Sequence, residues 1–166
     1  MEYSEFLKTK QKSHAISGFD VDESELNANL FPFQKFIVKR ALKAGKYALF
    51  EDCGLGKTIQ QLEWANQVAK RTLNPVLILA PLAVSGQTIK EGLKFGIGIG
   101  KYGEEHGHMI YISNYEQLEN IDTDLFGGIV LDESSILKNF EGATKQLILE
   151  RFANTPYKLA CTATPS

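Results

Sequence analysis

Cysteine, proline and tryptophan are scarce in this 166-residue chain, which has 2, 5 and 1 of them. Cys53 and Cys161 make no disulfide framework, and nothing near them has zinc-ligand spacing. His14, His106 and His108 supply no metal site either, and His106-Gly107-His108 reads as a solvated turn. No apolar run approaches the roughly 18 residues needed to span a bilayer. Met1-Glu2-Tyr3-Ser4-Glu5 lacks the basic and then apolar regions of a signal peptide. A cytoplasmic protein without a membrane partner is expected. An excess of charge is missing too: 18 Lys and Arg stand against 20 Asp and Glu, a formal net charge of −2. That weighs against a dedicated nucleic-acid module with a basic face. It does not exclude a motor that takes nucleic acid in a cleft shared with a second domain.

What is present is an ordinary globular composition, 43% hydrophobic and 23% charged. The length fits one domain whose core needs no covalent staples. Residues 1 to about 29 are polar and weakly periodic, a lead-in with one short helix at most. Pro32 suits a first helical position, Phe33, Phe36, Ile37 and Ala41 recur at helical spacing, and Gly45 suits the stop, which predicts a helix over 32–44.

Strands and helices then alternate. Tyr47–Phe50, Val76–Ala80, Met109–Ile112, Ile129–Leu131 and Lys158–Thr162 read as strands, with a weaker one at Ile97-Gly98-Ile99. Helices are expected through Ile59–Ala69, from Ser85 to Phe95 and from Thr144 to Phe152. Continuous apolar strands between helices imply an α/β fold, a mostly parallel central sheet with helices on both faces. Right-handed crossovers bring the strand C-termini to one edge, where ligands bind. Asp52-Cys53-Gly54, Pro81, Asn114, Asp132-Glu133 and Thr162-Ala163-Thr164 each follow a predicted strand and should gather there.

Gly54-Leu55-Gly56-Lys57-Thr58 sits between a predicted strand and a predicted helix, the context a phosphate loop requires. Glycines let backbone N–H groups turn inward around phosphates, and the helix N-terminus adds positive potential. Lys57 can reach the β- and γ-phosphates, and the Thr58 hydroxyl can ligate Mg²⁺. The general pattern has Gly six residues before the lysine, where this chain has Glu51. The plainer alternative is a Gly-rich turn capping a helix. Asp132-Glu133 ends a strand. In phosphoryl transfer the first acid of such a pair holds Mg²⁺ and the second orients and deprotonates the attacking water. Alone, the pair could equally be an acidic turn or a helix cap.

The order of these segments resembles the first RecA-like domain of superfamily-two helicases and Swi/Snf-type DNA translocases, over about residues 30–166. Phe33-Gln34 is similar to the glutamine motif, in which the Gln reads adenine. Glu51 to Gln60 resembles the translocase form of motif I, a form that lacks the early Gly. Leu79-Ala80-Pro81-Leu82 resembles motif Ia, and Ile112-Ser113-Asn114-Tyr115-Glu116 the following DNA-facing segment. Leu131-Asp132-Glu133-Ser134-Ser135 resembles motif II, with Ser-Ser in place of the more usual Ala-His or Ala-Asp. Thr162-Ala163-Thr164-Pro165 resembles motif III, credited with coupling nucleotide state to DNA contacts. The wording Asp-Glu-Ser-Ser-Ile-Leu-Lys-Asn most resembles phage and prophage members.

The resemblance implies an ATP hydrolase of RecA-like P-loop fold that uses ATP and Mg²⁺ and takes nucleic acid, DNA by preference. It assigns Lys57, Asp132 and Glu133 to catalysis and Gln34 and Gly54–Thr58 to the nucleotide. Thr58 and Asp132 go to the metal, Thr162, Ala163 and Thr164 to coupling, and Pro81, Leu82, Asn114 and Tyr115 to nucleic acid. It also implies that the strand carrying motif III lies between those carrying motifs I and II. Gln34 could instead be a helix-surface amide, and Tyr115 could be core packing rather than a stacking ring. A second RecA-like domain is expected to complete the site and to be absent here, leaving a face that could self-associate. The chain alone is expected to be nearly inactive. The competing readings are a nucleotide-binding switch without motor activity and a metabolic phosphotransferase.

Overall fold

A computed structural model of the chain describes residues 18–50, 56–132 and 142–162, with the backbone alone at Phe50, 142–145, Leu149 and Thr162. Its strands are β1 (Lys46–Phe50), β2 (Val76–Leu79), β3 (Gly100–Lys101), β4 (Ile110–Ser113), β5 (Gly128–Leu131) and β6 (Tyr157–Thr162). Its α-helices are α1 (Pro32–Ala44), α2 (Lys57–Thr72), α3 (Ser85–Lys94) and α4 (Gly142–Arg151). The strands form one sheet in the order β1-β6-β5-β2-β4-β3, every pair parallel. Strand β6, the last in the chain, sits between β1 and β5, as the family resemblance implies.

The sheet separates two apolar layers because successive strand residues point to opposite faces. Val76 and Ile78 join α1 and α2 in one cluster with Val38, Leu42, Leu62 and Val68. Their neighbours Leu77 and Leu79 enter the other, with Ile148 of α4, Phe152, Leu118 and Ile121. Leu42, Leu62, Leu77 and Leu79 have no measurable exposure. Full burial of such a side chain contributes about 1.5–3 kcal/mol. That far exceeds helix propensity differences of under about 1 kcal/mol per residue, so packing holds these helices in place.

Helix α1 begins and ends where its sequence predicts. Pro32 occupies the first turn, the Gln34 side chain accepts the Phe31 N–H at 2.8 Å, and Gly45 closes the helix at φ 77° with its N–H on the Ala41 carbonyl. The weak strand expected at Ile97–Ile99 is displaced to Gly100–Lys101. Ile97 spends its N–H on the Gly92 carbonyl at the end of α3 (2.7 Å), so pairing with β4 starts only at Gly100. His106-Gly107 is an exposed turn with Gly107 at φ 84°, while His108 packs edge-on against Tyr111.

Of the polar lead-in, residues 18–30 pack into the core. Phe19, Val21, Leu26 and Leu30 are buried. A short 3-10 helix, Glu23–Glu25, lies on this segment. Asn27 N–H donates to the Glu63 carboxylate of α2 at 3.0 Å, and Asn27 Nδ2 donates to the Phe95 carbonyl at 3.0 Å. Four apolar side chains spread over thirteen polar-rich residues have no periodicity to announce them, since irregular backbone has none.

Candidate functional site

Strand order decides where chemistry can collect. Because β1, β6 and β5 are adjacent and parallel, their C-terminal ends share one edge, and Asp132 follows β5 there. Gly56 caps α2 with φ 76° and ψ 38°, a left-handed conformation that costs a residue with a Cβ about 1–2 kcal/mol. The space is closed as well: a Cβ at Gly56 would collide with Nε2 of Gln34. Glycine therefore lets the start of α2 approach the start of α1.

Lys57, the first residue of α2, is 4% exposed, and its Nζ lies 3.3 Å from Oδ1 of Asp132. Asp132 follows directly on β5. Its N–H donates to the Leu79 carbonyl at 2.8 Å, which carries the ladder to β2 one residue further. Its own carbonyl accepts the Tyr115 hydroxyl at 2.8 Å. The backbone of Asp132 is thus fixed from both sides, and the carboxylate is aimed at α2. A fourth contact, which the sequence reading did not include, comes from Gln61, whose Nε2 donates to the same Oδ1 at 2.8 Å. Its signal was available, because Gln61 stands four residues after Lys57 and hence on the same helical face.

The expected site residues divide into three groups. Gln34, Gly56, Lys57 and Asp132 converge. Gln34 is buried at 4%, with Oε1 on the Phe31 N–H and Nε2 against Gly56, so it is not a helix-surface amide. Thr58 is half-buried in the first turn of α2, and Thr162 ends β6 opposite Phe50 of β1. Gly54, Leu55, Glu133, Ala163 and Thr164 lie outside the described residues.

The residues expected to face nucleic acid are mixed. Leu82 is 69% exposed, and Pro81 precedes it at the start of the 3-10 helix Leu82–Val84. The Asn114 side chain accepts the Gln117 N–H as the cap of the 3-10 helix Tyr115–Asn120. Tyr115 is corrected: it is 3% exposed, packs with Leu118 and Leu131 and spends its hydroxyl on Asp132. A ring so enclosed has no face to offer a base or sugar. The strand-end position permits either outcome, and burial of the apolar ring decided it.

The donor set suits a hard cation bound with a nucleotide. A hydroxyl and a carboxylate are oxygen ligands of the kind Mg²⁺ takes, one or two from protein and the rest from phosphates and water. Among the described residues no group of three or more His, Cys, Asp or Glu could hold a metal alone.

Solved structures with the same architecture include the SWI2/SNF2 ATPase core of Sulfolobus solfataricus in complex with double-stranded DNA, with 26% identity and a TM-score of 0.72 over 87% of this chain and 34% of that one. The UvsW helicase of bacteriophage T4 matches at 14% identity and a TM-score of 0.69, over 99% of this chain and 61% of that one. The helicase domain of Pyrococcus furiosus Hef matches at 18% identity and 0.65, over 85% of this chain and 34% of that one. No protein-family model and no curated protein matches the chain. In its fold the chain is similar to the RecA-like cores of these helicases and of the SWI2/SNF2 ATPase. It spans about a third to three-fifths of the lengths of these three structures. No helix among the described residues is long and apolar enough to cross a membrane.

Proposed function

We propose that this domain binds ATP with Mg²⁺ and serves a motor that couples ATP hydrolysis to movement on nucleic acid, DNA by preference. The observation that carries the reading is the meeting of Lys57 with Asp132 at the carboxyl edge of the sheet. Lys57 neutralises the β- and γ-phosphates, Thr58 and Asp132 hold the cation, and Glu133 takes a proton from the attacking water. Held by Thr58 and Asp132, Mg²⁺ would supply positive charge to balance that of the transferred phosphoryl group. Gln34, held beside Gly56, reads adenine. Thr162, Ala163 and Thr164 couple nucleotide state to the nucleic-acid face around Pro81 and Leu82. A second RecA-like domain supplies the arginines that balance transition-state charge, a contribution of about 10³–10⁵ in turnover in related enzymes.

Two measurements test this. Competition binding should favour ATP over GTP, because guanine offers O6 where adenine offers an N6 donor; equal affinities would remove Gln34 from the base site. ATP turnover by this chain, with and without single- and double-stranded DNA, should stay far below the about 1 s⁻¹ of ordinary enzymes. Joined to a second RecA-like domain it should rise on addition of DNA. Nucleotide binding with no response to nucleic acid in that assembly would favour a switch without motor activity.

A further inference from the structure

Asp132 receives two donors from one helix face, and both take the same oxygen. Lys57 Nζ stands 3.3 Å and Gln61 Nε2 2.8 Å from Oδ1, and neither contact uses Oδ2. Gln61 is 1% exposed in the second turn of α2. From this geometry we infer that Gln61 is a positioning residue for the cation: it holds the Asp132 carboxylate in the pose that presents Oδ2 to Mg²⁺. The inference rests on the reading of the site as one for ATP and Mg²⁺.

The physical argument turns on what happens to Lys57. With no phosphate present its charge balances Asp132. Once its charge is directed to phosphate, Asp132 loses that partner and must keep its orientation by other means. A carboxylate has a broad, nearly two-fold torsional preference, so it does not hold a rotamer unaided. The Gln61 amide supplies the constraint. It is neutral, so unlike an ammonium it fixes Oδ1 without repelling a cation at Oδ2. It is also short of freedom itself, being buried on a helix. Groups that orient a metal-ligating carboxylate typically change metal affinity about 10- to 100-fold when removed.

The alternative is that Gln61 is a buried amide whose bond to Asp132 serves folding alone. Cation affinity separates the two. Mn²⁺, used in place of Mg²⁺, is followed with and without ATP by the enhancement of water-proton relaxation, which distinguishes Mn²⁺ held on the protein from Mn²⁺ chelated by free ATP. Gln61→Met keeps length and flexibility but removes the donor. We expect it to weaken ATP-dependent Mn²⁺ binding by about 10-fold or more while ATP binding in excess EDTA stays as in the parent. Gln61→Asn, which draws the amide back by one methylene, guards against a variant that fails to fold and should show a loss in the same direction. In an Asp132→Asn background, Gln61→Met should cost nothing further, because it acts through Asp132. Failure of the parent to bind Mn²⁺ with ATP would overturn the ATP reading and this inference together. Parent binding that Gln61→Met leaves unchanged, or a loss that adds fully to that of Asp132→Asn, overturns this inference alone.

Discussion

The ammonium of Lys57 and the carboxylate of Asp132 approach to 3.3 Å although one opens a helix and the other follows a strand far along the chain. Both are nearly buried. A buried ion pair is weak evidence for stability, because desolvation offsets much of the attraction. Its position at the ligand edge of a parallel sheet is the more informative fact.

Lys57→Ala removes the charge expected to meet the β- and γ-phosphates. A charge-assisted hydrogen bond contributes about 1.5–3 kcal/mol, so ATP should bind about 10- to 100-fold more weakly. Titration calorimetry on parent and variant measures this. Equal affinity would sink the phosphate-loop assignment.

Gly56→Ala combines a left-handed backbone, φ 76°, with a collision against Gln34. A loss of about 1–3 kcal/mol in unfolding free energy is expected, together with displacement of the start of α2. Urea unfolding gives the stability, and nucleotide titration gives the consequence at the site. A variant as stable as the parent would mean that the turn relaxes without cost.

Tyr115→Phe keeps the buried ring and deletes the hydroxyl that holds the Asp132 carbonyl at 2.8 Å. An unfolding free energy lower by about 1–3 kcal/mol follows from leaving that acceptor without its partner. DNA affinity should not change, since the ring is enclosed. Unchanged stability, or weakened DNA binding in a variant as stable as the parent, would return Tyr115 to the nucleic-acid face.

Glu133→Gln keeps the side-chain shape and removes a base. In an assembly with a second RecA-like domain, ATP binding should persist and turnover should fall by about 10²-fold or more. Steady-state ATPase assays decide it; an unaltered rate would assign the base elsewhere.

Much of this molecule is legible without coordinates. Apolar periodicity placed helix α1 at its observed bounds and set every strand but β3 within a residue, because burial on a sheet or helix face imposes a period on the sequence. Gly54-Leu55-Gly56-Lys57-Thr58 and Asp132-Glu133 stand out in the sequence because each proposed role falls on contiguous residues. Three things depended on tertiary structure. Phe19, Val21, Leu26 and Leu30 enter the core from irregular backbone, which leaves no pattern. The bond from Gln61 to Asp132 joins a helix to a strand that neighbouring sequence does not connect. Tyr115 had two readings at a strand end, and only the packing around it turned the ring inward and its hydroxyl onto Asp132. Sequence encodes local period and local motif, whereas which side chains meet across elements is set by the order in which the strands lie side by side.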